Sequence, residues 1–287
     1  MTTGKDRLLD LLKESGDDEA LLDLKILEEE FEGNALEEAV KRRAVGEPLA
    51  YILGYRHFYK ECYKVASGVL IPRADTEIVV ESALKFLGIN KMASGDILNV
   101  PEYGQGLADI RFADLCTGTG CIGISVANEI VRAGGSAKGY LVDISDTAAG
   151  ISASNVESQA LKPEDIKVIK HDVLASCPKL EKLDFIVSNP PYITNKEMDE
   201  LDSVVKDHEP DLALRAGDTG LDFYGPLLNI AKELLKEGGA LIVEHGYEQG
   251  DSVRKIFEQG GLKNCMTVRD YGGNDRVTVG IKQAETQ

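Results

Sequence analysis

The chain has 287 residues, 43% of them hydrophobic, which is enough to bury the core of one large domain and a smaller second one. Its 32 basic and 49 acidic residues give a net charge of −17, and like charge repels the phosphate backbone of nucleic acids. The composition therefore argues against direct binding of DNA or RNA.

The beginning of the chain and its cysteines indicate a cytoplasmic protein. Residues 1 to 31 lack the basic and apolar segments of a signal or transit peptide, and no run approaches the roughly 20 apolar residues of a membrane span. The five cysteines form no Cys-x-x-Cys pair, and the four histidines are not clustered at zinc-like spacing. We expect a cytoplasmic location, no membrane association and no metal.

The first segment is predicted to be helical. Leucines recur at helical spacing through residues 5 to 46, and glycines such as Gly33 and Gly46 are predicted to end helices. Asn34 is predicted to cap the third helix. We assign residues 1 to 56 to a small helical domain. It is either a packing or oligomerisation module or a substrate-docking unit, and periodicity does not separate these two roles.

The pattern then changes, and glycine and proline interrupt aromatic and β-branched residues between positions 46 and 76. Such punctuation predicts a short hairpin or an extended linker, which we assign to residues 57 to 76. Residues 77 to 287 alternate strand-like and helix-like segments, which predicts parallel βαβ units in an α/β fold. Residues 88 to 109, rich in glycine and asparagine, are predicted to form a surface insertion.

The predicted strands are short apolar runs. They lie at residues 111 to 115, 139 to 144, 165 to 170, 183 to 188, 239 to 243, 264 to 269 and 276 to 281. The last two runs are separated only by residues 270 to 275, which include two glycines. This pair is therefore predicted to form an antiparallel hairpin at the edge of the sheet.

A glycine-rich segment follows the first strand and opens a helix, which is the setting of a nucleotide-binding loop. Its residues are Asp114, Leu115, Cys116, Thr117, Gly118, Thr119, Gly120, Cys121, Ile122 and Gly123. The glycines let the backbone approach a ligand closely. Because three of them also match the Gly-x-Gly-x-x-Gly pattern, a nicotinamide or flavin oxidoreductase remains an alternative.

Nearby residues favour a nucleoside without a pyrophosphate. Asp143 ends the next strand, where a carboxylate can accept both ribose hydroxyls. Asp114 would repel a pyrophosphate but could hold the ammonium group of a methionine moiety. Cys116 stands where dinucleotide-binding proteins usually have their first glycine, and its alternative role is packing. Asp172 is placed to accept from an adenine amino group with Val173 against the ring, or else it is a solvated carboxylate.

The segment Asn189-Pro190-Pro191-Tyr192 ends the fourth predicted strand, at the edge where α/β sheets place their sites. The prolines stiffen the loop, so that the Asn189 side-chain oxygen and the Pro190 carbonyl can both accept from one NH2 group. Tyr192 offers a flat face for stacking a conjugated group. We therefore predict a methyltransferase that uses S-adenosylmethionine and aims a planar nitrogen at the sulfonium methyl group. We expect neither a covalent intermediate nor a strong general base.

Across nearly its whole length the chain resembles the HemK/PrmC family, the peptide-chain release factor glutamine methyltransferases. The matching blocks are Gly46 to Pro48, Tyr51 to Gly54 with Phe58, Leu70 to Glu77, Asp114 to Gly120, Asn189 to Tyr192, and Asp218 to Asp222. The family commonly has Pro-Glu where this chain has Ala74-Asp75, and often has an aromatic residue at the position of Val173.

The resemblance implies an N-terminal helical bundle, a hairpin linker and a Rossmann-like, seven-stranded class I methyltransferase domain whose final strand is antiparallel. It implies that the acceptor is the glutamine of the Gly-Gly-Gln loop of translation release factors, with N5-methylglutamine and S-adenosyl-L-homocysteine as products. The implied cofactor residues are Thr117, Gly118, Thr119, Gly120, Asp143 and Val173. Asn189, Pro190, Pro191 and Tyr192 would bind the substrate glutamine.

Other functions stay open at this point. An adenine amino methyltransferase of DNA or RNA could use the same Asn-Pro-Pro-Tyr segment on a flipped base, although the charge argues against it. A glutamine methyltransferase of a ribosomal protein is a closer alternative. A nicotinamide oxidoreductase would leave Asn189 to Tyr192 without a role. The last alternative is a protein that binds the cofactor without catalysis.

Overall fold

The computed structural model describes residues 4–16, 19–89, 95–162 and 164–283. Its secondary structure begins with three helices, α1 (Gly4–Glu14), α2 (Ala20–Glu30) and α3 (Gly33–Ala44), and a short helix α4 (Leu49–Leu53). Their apolar faces meet in a core of their own that contains Leu12, Leu24, Leu27, Val40 and Ile52. The leucine periodicity thus places the first helices correctly, because each helix buries one apolar face.

The start of α3 differs from the prediction. Gly33, expected to end a helix, is the first residue of α3, and the extended Glu32 occupies the N-cap position without a side-chain cap hydrogen bond. Asn34 lies inside the helix, so its predicted role as a cap was wrong. Only Phe31 and Glu32 separate α2 from α3, and both are extended. Phe31 is the C-cap of α2, and Glu32 takes the N-cap position of α3 that was predicted for Asn34.

An antiparallel hairpin links the helices to the rest of the chain, with strands β1 (Tyr55–Phe58) and β2 (Glu61–Lys64). It begins two residues before the predicted linker, and α4 lies in the glycine- and proline-punctuated segment that was predicted to be a hairpin or an extended linker. Residues 65 to 73 then lead into a 3-10 turn (Ala74–Thr76) and helix α5 (Glu77–Phe86). The division into domains at residues 56 and 76 stays a prediction.

The remaining strands form one seven-stranded sheet. They are β3 (Ile110–Leu115), β4 (Ala137–Asp143), β5 (Ile166–Lys170), β6 (Leu183–Ser188), β7 (Leu235–Glu244), β8 (Lys263–Arg269) and β9 (Asp275–Ile281). Their order is β5-β4-β3-β6-β7-β9-β8; β3 to β7 pair in parallel, and β9 is antiparallel to β7 and β8. The predicted α/β fold, all seven strands and the terminal antiparallel hairpin are confirmed.

Helices cover both faces of this sheet. The remaining helices are α6 (Cys121–Arg132), α7 (Asp146–Ser158), α8 (Asn195–Glu200), α9 (Ser203–His208), α10 (Tyr224–Leu234) and α11 (Gly250–Gln259), with 3-10 turns at Gly95–Asn99 and Asp211–Ala213. Alternate residues of a central strand enter opposite cores: Phe185 and Val187 of β6 pack with α5 and α6, whereas Ile186 packs with α10. Burial on both faces explains why the central strands are continuous apolar runs.

The predicted surface insertion is packed against the core in its described part. Ile97 and Val100 are each 2% exposed and belong to the larger core cluster. The Tyr103 hydroxyl donates a 2.5 Å hydrogen bond to Asp184. The surface prediction was therefore wrong for Ile97, Val100 and Tyr103, whose apolar side chains pack against the core, whereas residues 104 to 106 and 108 to 109 are exposed as predicted. Residues 90 to 94 lie outside the described chain. In the ranges that the structure describes, no helix has the length and apolarity to span a membrane.

Candidate functional site

The carboxyl ends of four adjacent strands meet at one edge of the sheet. Leu115 of β3 pairs with Val142 of β4 and with Ser188 of β6, and Ser188 pairs with Val243 of β7. The glycine-rich loop, Asp143, Asn189 and Glu244 therefore follow one another along this edge. The strand order reverses between β3 and β6, which is where open α/β sheets place their ligand sites.

A cavity of about 370 Å³ opens at this edge. Of the predicted site residues, its wall contains Cys116, Thr117, Gly118, Thr119, Asp143, Asp172, Val173, Asn189 and Pro191. Asp114, Gly120, Pro190 and Tyr192 are not part of this wall. The volume lies within the range of small-molecule sites, and the tertiary structure brings the nucleotide-type loop and the Asn-Pro-Pro-Tyr segment to one cavity.

Asp114 supports the glycine-rich loop from below. Its carboxylate is fully buried, and Oδ2 accepts hydrogen bonds from the Thr117 hydroxyl at 2.6 Å and from the Gly123 amide at 3.0 Å. Burial raises the pKa of Asp114 to about 7, although both hydrogen bonds oppose this shift. Within the described chain, Oδ1 has no hydrogen-bond partner. An orphaned buried acceptor is costly unless a ligand or a water satisfies it.

Two glycines of the loop are required by the close packing of α6 on the sheet. Gly120 has a φ of 83°, which favours glycine, and an added Cβ would lie 2.9 Å from the Ile124 side chain. At Gly123 an added Cβ would lie 2.5 Å from the Leu141 side chain and 3.0 Å from Asp114. The glycines at positions 120 and 123 therefore serve the packing of α6 on the sheet.

Cys116 has a φ of 59°, a left-handed conformation that is uncommon for residues with a side chain. Dinucleotide-binding proteins usually have a glycine at this position. Burial raises the pKa of the Cys116 thiol well above its ordinary value. A raised pKa disfavours the reactive thiolate, so we interpret Cys116 as a residue that packs the wall of the cavity.

Asp143 joins the loop to the second strand. Its Oδ2 accepts from the Gly118 amide at 2.9 Å and its Oδ1 from the Ser145 amide at 3.0 Å, which leaves lone pairs on both oxygens for a ligand. Burial raises the pKa of Asp143, and these backbone hydrogen bonds limit the rise. Asp172 accepts from the Leu174 amide at 2.9 Å, and Val173 is buried beside it.

Asn189 is held by a residue that is remote in sequence. Its Nδ2 donates a 3.1 Å hydrogen bond to the Thr76 hydroxyl oxygen, in the turn before α5. Within the described residues, Asn189 Oδ1 accepts no hydrogen bond, and Asn189 lies in the cavity wall. The amide is therefore oriented with its acceptor available. The predicted hydrogen bonds from a substrate NH2 group to Asn189 stay a prediction.

Tyr192 is fixed at both ends. Its hydroxyl donates to Glu244 Oε1 at 3.2 Å, and its carbonyl accepts from Gln249 Nε2 at 2.8 Å. The two prolines before it are buried. The ring is therefore part of a rigid support next to Asn189, although it does not line the cavity itself.

Several wall residues were not selected from the sequence. They come from the segment that includes Gly68, Val69, Leu70, Pro72, Arg73 and Thr76 and from Pro210, Leu212, Ala213 and Phe223. The buried Glu209 carboxylate joins these two segments, because it accepts from the Arg73 guanidinium and from the Ile71 amide. The resemblance of residues 70 to 77 to the family was the one sequence signal that could have pointed to the first of these segments. No group of acidic, histidine or cysteine residues suited to a metal occurs in the described ranges.

The sheet order, the single antiparallel strand β9 and the loop over an acidic strand end define a class I methyltransferase fold. Residues 102–208 match the family model of the methyltransferase small domain. A T. thermophilus 16S rRNA N2 methyltransferase, solved with AdoMet and guanosine, superposes with a TM-score of 0.51 at 15% identity, covering 80% of this chain and 50% of that chain. This likeness concerns the fold.

Curated relatives identify the family more closely. A release factor glutamine methyltransferase of Fusobacterium nucleatum is 36% identical over 91% of this chain and 67% of its own length. One from Clostridium acetobutylicum is 34% identical over 89% of this chain and 83% of its own length. The chain belongs to the release factor glutamine methyltransferase family.

Proposed function

We propose that this protein transfers a methyl group from S-adenosyl-L-methionine to the side-chain amide nitrogen of the glutamine in the Gly-Gly-Gln loop of translation release factors. One observation carries the proposal: Asn189, held by Thr76 with its oxygen available, shares a cavity wall with the glycine-rich loop and Asp143. Family membership supports the same substrate.

The residues of the cavity fit the methyl donor. Asp143 has free lone pairs for ribose hydroxyls, and Thr117, Gly118 and Thr119 form a loop that approaches a ligand closely. Oδ1 of Asp114 is an unsatisfied acceptor beneath this loop, and we assign its missing hydrogen bond to the ammonium group of the methionine moiety, acting through a water because Asp114 does not line the cavity. Asp172 and Val173 line the part of the wall that we assign to adenine. Cys116 and Gly120 complete the loop through packing.

When bound, S-adenosyl-L-methionine supplies a methyl group on an activated sulfonium sulfur. Asn189 Oδ1 and the Pro190 carbonyl accept hydrogen bonds from the two N–H groups of the substrate amide. These bonds direct the amide nitrogen towards the sulfonium methyl group. Tyr192 and Pro191 stiffen this acceptor pair. Positioning accounts for the rate, and the proton released from nitrogen leaves to solvent without a strong general base.

Release factors are the proposed partners, without direct binding of nucleic acid. The net charge of −17 supports a protein partner over a nucleic acid. We further propose that no metal takes part and that the protein works in the cytoplasm. The five free cysteines suit that reducing compartment.

The test is a transfer assay with methyl-labelled S-adenosyl-L-methionine. Release factor, the same factor with glutamate replacing the Gly-Gly-Gln glutamine, ribosomal protein, tRNA and DNA are offered in parallel. We expect label only in the unaltered release factor, at one glutamine by peptide mass spectrometry. Label confined to nucleic acid would overturn the proposal in favour of an adenine methyltransferase, and label in ribosomal protein alone would change the substrate.

A further inference from the structure

Glu244 is a fully buried carboxylate at the reacting edge of the sheet that no motif of the sequence points to. It is the last residue of β7, one strand away from Asn189, and it is 1% exposed. Burying a carboxylate costs free energy, so a buried carboxylate beside the site is expected to have a partner or a role.

Its contacts lead to the substrate-binding segment. Tyr192 donates to Oε1 at 3.2 Å, while Oε2 has no hydrogen-bond partner within the described residues. Burial raises the pKa of Glu244 to about 7, against the opposing effects of the Thr76 hydroxyl, the Arg276 charge and the Tyr192 hydroxyl. The Thr76 hydroxyl, which lowers the pKa of the Glu244 carboxyl, also accepts the hydrogen bond from the Asn189 amide.

One buried group thus lies behind Asn189, which is proposed to bind the substrate amide, and behind Tyr192, which supports Asn189. The Tyr192 phenol donates a hydrogen bond to Glu244. The Thr76 hydroxyl, which accepts from the Asn189 amide, lies near enough to the Glu244 carboxyl to lower its pKa. Changing the charge of Glu244 changes which of its oxygens accept and which donate, and the two neighbours must adjust.

We propose that Glu244 is a positioning residue for methyl transfer, whose carboxylate sets the orientation of the Tyr192 ring and, through Thr76, of the Asn189 amide. This inference rests on the proposed function for its kinetic consequence. Glu244 does not line the cavity and acts only through these residues.

The surroundings of Glu244 define its pH response. The charged and titratable groups that influence it or respond to it are Asp75 in the 3-10 turn, Cys121 at the start of α6, Tyr192, Tyr224 of α10 and Arg276 of β9. Burial raises the pKa of Cys121 and of both tyrosines, so these groups stay neutral near pH 7, and the pKa of Arg276 is raised, so it stays charged. Glu244 itself is therefore the group expected to titrate there.

The first test requires no substrate. Tyrosine rings labelled with carbon-13 and side-chain amides labelled with nitrogen-15 report Tyr192 and Asn189 by NMR, with assignments from Tyr192→Phe and Asn189→Ala. We expect both signals to shift with a midpoint near pH 7, and to lose this transition in Glu244→Gln. Signals that do not titrate, or that titrate unchanged in Glu244→Gln, would overturn the proposal whatever the substrate is.

The second test is kinetic, at saturating methyl donor. Glu244→Gln should lower the maximal transfer rate about 10- to 100-fold with the affinity for donor kept, because a misplacement of about 1 Å has effects of that size. Tyr192→Phe should cause a similar loss, and the double variant should lose at most about threefold more, since both changes break one contact. Glu237→Gln, an exposed glutamate on the same strand, is the control.

Strictly additive losses, or a loss of donor affinity in step with rate, would show that Glu244 has only a structural role. If Glu244→Gln does not fold, Glu244→Asp, which withdraws the carboxylate, takes its place in both tests. Absence of transfer to release factor by the unaltered protein would instead refute the proposed function, and the NMR titration would still decide the role of Glu244.

Discussion

The side-chain amide of Asn189 donates a 3.1 Å hydrogen bond to the hydroxyl oxygen of Thr76, across 113 residues of sequence. This contact ties the Asn-Pro-Pro-Tyr segment to the turn that precedes α5. It also determines which end of the amide is available, since Nδ2 is engaged and Oδ1 accepts no hydrogen bond within the described residues.

Asn189→Ala should reduce methyl transfer by about 10³-fold, a loss comparable to removal of one positioned hydrogen-bonding group in other enzymes. Binding of S-adenosyl-L-methionine, measured by calorimetry, should change little because the glycine-rich loop and Asp143 are unaltered. Asn34→Ala, at an exposed position of α3, serves as the control. An equal loss of transfer and donor binding would assign Asn189 to the donor rather than to the substrate.

Thr76→Val should lower transfer about tenfold, since valine keeps the shape of threonine but removes the oxygen that orients Asn189. Thr76→Ser keeps the oxygen and should retain most of the rate. The comparison of the two variants by steady-state kinetics at saturating donor separates orientation from packing. Equal rates in both variants would contradict a role for the hydroxyl.

Gly123→Ala should destabilise the fold by about 1 to 3 kcal/mol, the usual effect of overpacking a core. The added Cβ would lie 2.5 Å from Leu141 Cδ2, and one of the two must move. Gly150→Ala in α7 is the matched control, because its Cβ would meet no atom within 4 Å. That change should stabilise the protein by about 0.5 to 1 kcal/mol, as expected for an alanine in an exposed helix. Urea unfolding of both variants measures the difference.

The stability of the protein should decrease as the pH rises from about 4 to about 7. Burial raises the pKa of Asp114 from 3.8 to about 7, so in this interval the folded protein holds a proton that the unfolded chain has released. The contribution is present below the lower pKa, is lost progressively up to the higher one, and amounts to about 4 kcal/mol.

Asp114→Asn should flatten this dependence, measured as the free energy of unfolding between about pH 4 and pH 8. Glu244, whose pKa is also raised to about 7, leaves a residual slope of the same sign in the variant. A variant whose stability follows pH as steeply as the original protein would show that Asp114 is ionised throughout.

Arg73→Ala should weaken donor binding more than Arg73→Lys, because only the lysine keeps a positive charge beside the buried Glu209 carboxylate. This ion pair joins two segments of the cavity wall, and Glu209 has a side chain that is 1% exposed whereas Arg73 is 41% exposed. Removing the cation leaves the carboxylate uncompensated, which is costly. Calorimetry measures donor binding, and hydrogen exchange should show faster opening of residues 66 to 73. Unchanged hydrogen exchange of residues 66 to 73 in Arg73→Ala would show that the ion pair does not hold the two wall segments together.

The sequence predicted the strands well because each central strand is a short apolar run between helix-length segments. It predicted the apolar residues between positions 95 and 109 poorly. Glycine and asparagine suggested a surface loop, whereas Ile97, Val100 and Tyr103 pack against the core. Isolated apolar residues carry no periodic signal, and their burial depends on the surfaces that the rest of the fold presents to them.

The candidate site shows the same division. The glycine-rich loop, Asp143 and the Asn-Pro-Pro-Tyr segment are local patterns, and their chemistry follows from residue type and spacing at strand ends. The sequence by itself therefore predicted the class of fold, a methyl transfer to a planar nitrogen and a resemblance to the family, while the acceptor stayed open. Only the tertiary structure decided that Thr76 orients Asn189, that Glu244 stands behind Tyr192 and that Glu209 joins two wall segments. Each of these contacts joins residues that are distant in the chain, and such pairings depend on strand order and helix packing rather than on any local spacing.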